Sequence, residues 1–251
     1  MKKTIIPLVI LAMSRLASAA VCNCASCAVL EGTHLPAPGS FILSQNIELE
    51  NVAGTRETAW NLSLSTGITE RLAFSLYSRT SLDNGFVVEA LAPSLQILLS
   101  KFELNGKPFH LHFEVGGQIA PQGEEDEEDA HPSETSAVAS HDRNLVFARV
   151  ELDTRFGETL VAGGFIFTQY TEGDRETRPG YTARVLTGIT EQTLLGIEVA
   201  GDIGAGRGYH EAGATFYYQL TPTIQLHAGS AFGISEDKPL RSVRAGLSLR
   251  F

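Results

Sequence analysis

Residues 109–118 read FHLHFEVGGQ. Phe109, Leu111, Phe113 and Val115 share one parity, and His110, His112, Glu114 and Gln118 share the other. A period of two is that of an extended strand whose side chains point alternately to opposite faces, here one apolar and one densely polar. The same alternation recurs outward along the chain. Trp60, Leu62 and Leu64 interleave with Asn61, Ser63 and Ser65; Val146, Ala148, Val150 and Leu152 with Arg149, Glu151 and Asp153. Leu195, Ile197 and Val199 flank Glu198, and Val243, Ala245, Leu247, Leu249 and Phe251 oppose Arg244, Ser248 and Arg250. Helical periodicity is nowhere sustained.

Read this way, the chain holds about twelve strands, near 41–51, 57–68, 71–81, 87–102, 108–120, 144–154, 159–171, 180–188, 192–201, 210–220, 223–233 and 241–251. The connectors alternate in length. Short turns fall at Thr69–Glu70, Glu103–Lys107, Arg155–Glu158, Ile189–Glu191 and Thr221–Pro222; longer ones fall at Pro121–Arg143, Glu172–Pro179, Asp202–Tyr209 and Ser235–Leu240. An even strand count with short turns at one end and long loops at the other is the pattern of an up-and-down antiparallel transmembrane β-barrel. It puts both chain ends on the short-turn, periplasmic side.

A soluble sandwich or lipocalin-like barrel alternates too, with the apolar face inward instead of outward. The first residues help to decide between them. Met1 to Ala20, MKKTIIPLVILAMSRLASAA, has a basic start, an apolar stretch and an Ala17-Ser18-Ala19 cleavage pattern, so residues 1–20 read as a secretory signal. Its loss takes 19 basic residues to 16 against 29 acidic ones, a net charge of −13. That acidity argues against nucleic-acid binding, which needs a basic footprint. The residues before Cys22 lack the pattern of lipoprotein processing. Mean hydropathy is +0.02 and the apolar run Ile5–Met13 is too short to span a bilayer, which excludes a helical membrane protein.

The chain stops inside a strand, at Phe251. There it resembles Gram-negative outer-membrane proteins, whose final strand ends in an aromatic residue read by the barrel-assembly machinery; Leu247, Leu249 and Phe251 match. The resemblance implies a Gram-negative outer-membrane location, with lipid, lipopolysaccharide and that machinery as partners. The lead-in Leu35, Pro36, Ala37, Pro38, Gly39, Ser40, with Glu48 and Glu50 on the inner face of the next strand, also looks like the transporter family grouped with meta-pathway phenol degradation. That likeness implies a channel class and no substrate. Residues 1–20 are then the signal, 21–39 a cysteine-bearing periplasmic lead segment and 40–251 the barrel.

Three groups of residues can carry chemistry. Cys22, Cys24 and Cys27, in VCNCASC, have C-x-C-x-x-C spacing that lets thiolates converge on a soft ion such as Cu(I) or Zn; a disulfide with one thiol left over is the competing fate. Glu124, Glu125, Asp126, Glu127, Glu128 and Asp129, followed by His131, repel one another and make a solvated loop able to attract cations, without the spacing of a defined calcium loop. His110, His112 and Glu114 stack on one face and are expected to meet Arg149, Glu151 and Asp153 on the next strand, as a salt-bridge ladder or a selective pathway for a small polar solute. His227, Arg184, Glu198, Arg244 and Arg250 share that interior.

No G-x-S-x-G, H-E-x-x-H, Walker or dinucleotide motif occurs, so no enzyme is expected. The expected function is an outer-membrane channel or uptake component for small solutes, with metal ions the first candidate. The alternative is a non-transporting barrel: a metal-binding sensor, adhesin or scaffold with a periplasmic partner.

Overall fold

The computed structural model describes residues 35–52, 55–83, 85–120, 144–171, 177–203, 210–233 and 241–251. Twelve strands run β1 Phe41–Val52, β2 Thr55–Thr69, β3 Leu72–Ser81, β4 Val87–Leu104, β5 Lys107–Gln118, β6 Leu145–Phe156, β7 Thr159–Tyr170, β8 Thr177–Gly188, β9 Thr193–Asp202, β10 His210–Thr221, β11 Ile224–Gly233 and β12 Arg241–Arg250. Each pairs antiparallel with its sequence neighbours. β1 pairs with β12 from Ile42 opposite Arg250 to Asn51 opposite Arg241, so the sheet closes on itself and leaves no edge.

No strand end differs from the sequence expectation by more than three residues. The largest shift corrects one connector: Pro179, expected in a long loop, lies inside β8 opposite Phe167. Proline is tolerated near a strand end, and its carbonyl still accepts a 2.7 Å bond from the Ile203 N–H. Between β4 and β5 the turn shrinks to Asn105 and Gly106, with φ of 52° and 71°. This left-handed pair is the Asn-Gly turn whose twist matches a two-residue hairpin.

Burial decides which face is inside. Ile197 is 67% exposed and the adjacent Glu198 only 4%. The same inversion holds round the barrel. Phe165, Val150, Phe216 and Val243 are exposed, while Glu48, Asn61, Ser65, Glu114, Asp153 and Ser248 are buried. A soluble fold would have to leave this apolar belt in water, at ~1.5–3 kcal/mol for each large side chain. Lipid removes that cost, which is why the outward apolar and inward polar pattern belongs to a transmembrane barrel. Following the registers once round from Ile42 displaces the start by about 14 residues along β1, which for twelve strands means a tilt of about 40° and a backbone radius of about 11 Å. Such an interior is narrow enough for arginines and glutamates on different strands to meet.

Candidate functional site: the lumen

The lumen is built from the inward parity of every strand. On β5 and β6 the register sets His110 opposite Asp153, His112 opposite Glu151 and Glu114 opposite Arg149, so all six lumen residues singled out in the sequence come together. Asp153 bridges two imidazoles: its Oδ1 lies 3.0 Å from His110 Nδ1 and its Oδ2 3.0 Å from His112 Nε2. Arg149 donates to Glu114 through Nε at 3.0 Å and also through Nη2. Glu151 is taken by Arg184, whose Nη2 donates to Oε1 at 2.6 Å from two strands away. That reach crosses β7 where the inward residues are Ala162 and Gly164. A Cβ on Gly164 would come 3.2 Å from the Glu151 Cβ.

A second network spans β1–β4 at the end opposite the short turns; Glu48, Glu50 and Asn61 are polar-face residues in the sequence reading, whereas Arg79, Tyr77 and Glu89 are not singled out there. Arg79 is almost wholly buried and donates to Glu48 at 3.2 Å, Glu50 at 2.9 Å and Glu89 at 2.8 Å. Glu48 also accepts from Asn61, which in turn accepts from Tyr77. Strict alternation would point Glu89 outward, but β4 carries a bulge between its pairings to Arg79 and Thr80, and the extra residue re-aims Glu89 at the guanidinium. The signal for Arg79 was its shared parity with Ser75 and Tyr77; the bulge left no signal in the sequence.

On β9–β12 the inner wall is a checkerboard. Gly196 lies opposite Thr215, Glu198 opposite Gly213, Thr215 opposite Gly229, Arg244 opposite Gly229 and His227 opposite Gly246. The glycines give space to polar neighbours lying flat on the wall: an added Cβ would stand 2.8 Å from Thr215 Oγ1 at Gly196, 3.1 Å from Arg244 Nε at Gly229 and 2.6 Å from His227 Nε2 at Gly246. Toward the short-turn end, Leu160, Leu186 and Tyr217 form an apolar inner patch with Leu194. The lead-in from Leu35 packs against β2 at the same end. Pro36 is buried, Pro38 bridges Gly67, and the Pro36 and Ala37 carbonyls occupy the space a Gly67 side chain would need.

Charge in the lumen is mixed. Glu48, Glu50, Glu114, Glu151, Asp153, Glu198 and Glu211 are buried; of the arginines on the inward parity, Arg79 and Arg244 are buried and Arg149, Arg155, Arg178, Arg184 and Arg250 half-buried. Among the described residues no group of three His, Cys, Asp or Glu side chains is arranged to hold a metal ion. The imidazole nitrogens that face Asp153 are spent on that carboxylate. Cys22, Cys24 and Cys27, and the acidic loop from Glu124 to Asp129 with His131, lie outside the described residues.

No family model matches the chain. No curated protein matches it. Among solved structures, it is similar to an outer-membrane channel from Pseudomonas putida F1, at 15% identity and TM-score 0.60 over 89% of this chain and 100% of that one. It is also similar to the KdgM porin in complex with disordered oligogalacturonate, at 9% and 0.58 over 84% and 99%. Outer membrane phospholipase A from Escherichia coli matches at 11% and 0.52 over 82% and 92%. At such identities the likeness shows the fold alone: a closed outer-membrane β-barrel, an architecture shared by channels and by an enzyme.

Proposed function

We propose that this barrel is a narrow channel of the Gram-negative outer membrane, passing small solutes. The observation that carries the reading is the charged, polar lumen inside a closed, lipid-compatible barrel. Inside low-dielectric walls, lining charges act on which ions enter, and here the two signs nearly balance. Membership among the transporters grouped with meta-pathway phenol degradation belongs to the same reading, carried by the Leu35–Ser40 lead-in and by Glu48 and Glu50.

The test is single-channel recording of the refolded protein in a planar bilayer under a KCl gradient. Discrete steps with a reversal potential near zero are expected, since both signs of charge line the lumen. A potential close to that of K⁺ or of Cl⁻ would refute the balanced lining. A folded but silent protein would instead favour a closed, binding barrel, the second reading, which the buried state of the inward side chains and the lead-in at the short-turn mouth support.

Metal handling is assigned to Cys22, Cys24 and Cys27. Replacing all three by Ser is expected to leave insertion intact and to abolish Cu(I) or Zn binding by the N-terminal segment. Unchanged metal stoichiometry in the variant would remove that role.

A further inference from the structure

One side chain breaks the apolar outer face of β1. The outward parity of that strand reads Phe41, Leu43, Gln45, Ile47 and Leu49, and Phe41, Ile47 and Leu49 are exposed as lipid-facing residues are. Gln45 is the middle member. At a tilt of about 40° each residue climbs about 2.5 Å, which sets Gln45 about 10 Å above Phe41 and about 10 Å below Leu49, inside an apolar band about 25 Å tall. The register adds Leu62 opposite it on β2 and Leu247 opposite it on β12. Its inward neighbours are bonded: Ser44 to Ser248, and Asn46 to Asn61. The Gln45 side-chain amide makes no hydrogen bond to any of the described residues.

A primary amide carries two N–H donors and an oxygen that accepts, and lipid tails satisfy neither, so an amide left among them is costly. The side chain is too short to carry its polar end to either headgroup region, as a lysine or arginine does by snorkelling. The partner it lacks is therefore a polar group at the same depth in the bilayer. A second copy of the chain supplies one by symmetry. In a two-fold contact a residue on the axis meets itself, and an amide is its own complement: the N–H of each can donate to the oxygen of the other. The wall beside Gln45 also allows two barrels to come close. Ile47 lies opposite Ala245 and Ala245 opposite Ala228, both alanines exposed, so the outer surface of β12 and β11 is low at this height. Small residues are what let backbones approach inside a membrane.

We propose that the outer face of β1, with the low wall of β12 and β11 beside it, is a two-fold interface between copies of this barrel in the bilayer, centred on reciprocal hydrogen bonds between Gln45 and the partner subunit's Gln45. Leu43, Ile47, Leu62 and Leu247 surround that pair and exclude lipid from it. The interface lies on the outer wall and does not depend on whether the lumen conducts.

Sedimentation equilibrium of the refolded full-length protein in density-matched detergent tests this, with folding of each variant checked by its heat-modifiable mobility on gels. A reversible monomer–dimer equilibrium is expected in the wild type. Its dissociation constant is expected to rise at least tenfold in Gln45→Leu, which removes the amide and keeps an apolar side chain suited to lipid. A second measurement locates the axis. With Cys22, Cys24 and Cys27 replaced by Ser, Gln45→Cys in lipid vesicles is expected to form a disulfide-linked dimer on mild oxidation at least tenfold faster than Ile197→Cys, which is also outward but lies on β9. A wild type that stays monomeric at all concentrations would overturn the proposal. So would a Gln45→Leu variant that dimerises as tightly as the wild type, or cross-linking through position 197 as fast as through position 45.

Discussion

Replacing Arg79 by Met is expected to destabilise the barrel by about 3–5 kcal/mol, the usual cost of removing one partner from a buried ion-pair network. The loss comes less from attraction forgone than from what is left behind. Glu48 and Glu50 share the guanidinium from adjacent inward positions of β1, and both are buried. Without Arg79, two carboxylates on one strand face each other with no cation between them. The triple variant Arg79→Met, Glu48→Gln, Glu50→Gln is therefore expected to recover most of the stability, because a network removed as a unit leaves no stranded charge. Urea unfolding from detergent or lipid, followed by the fluorescence of Trp60, the sole tryptophan, reads the effect. A loss below about 1 kcal/mol would mean that water screens the cluster as it does a surface ion pair, and that this end of the lumen is wet.

The second large effect is on the opposite face. Ile197→Arg places a charge on the outer wall near the middle of the barrel and is expected to cost about 2–4 kcal/mol in a bilayer, falling toward zero for equivalent changes at the rims. On the exposed exterior of a soluble barrel the same change would stay within about 0.5 kcal/mol, since Ile197 is 67% exposed and has little packing to lose. One substitution thus separates the two folds that share this alternation. Reversible folding into thin-chain vesicles, scored by gel mobility, provides the measurement. A neutral outcome would contradict the assignment of the exposed apolar belt to lipid.

The pairing of His110, His112 and Glu114 with Arg149, Glu151 and Asp153 is legible in the alternation alone. Both triplets sit on the polar parity of neighbouring strands, and a shared parity leaves only the register to be settled. The register makes a choice that parity cannot: Asp153 takes both imidazoles, which frees Glu151 for Arg184 from β8. Arg79 shows where reading by parity fails. Its partners lie on β1 and on a bulge of β4, and a bulge is an extra residue that breaks the alternation on which the reading depends.

The period of two, the turn residues and the alternation of connector lengths are local properties, and by themselves they determined the number of strands, their limits and the composition of each face. They are symmetric with respect to which face is inside. Closure of β1 onto β12 decided that, by turning every polar parity inward at once and leaving the apolar one for lipid. The meeting of Arg79 with Glu48, Glu50 and Glu89 across β1, β3 and β4 was likewise decided only by tertiary structure. Cross-strand neighbours depend on register and on the stagger accumulated round the barrel, and a stagger of that kind is a property of the closed sheet that no single strand carries.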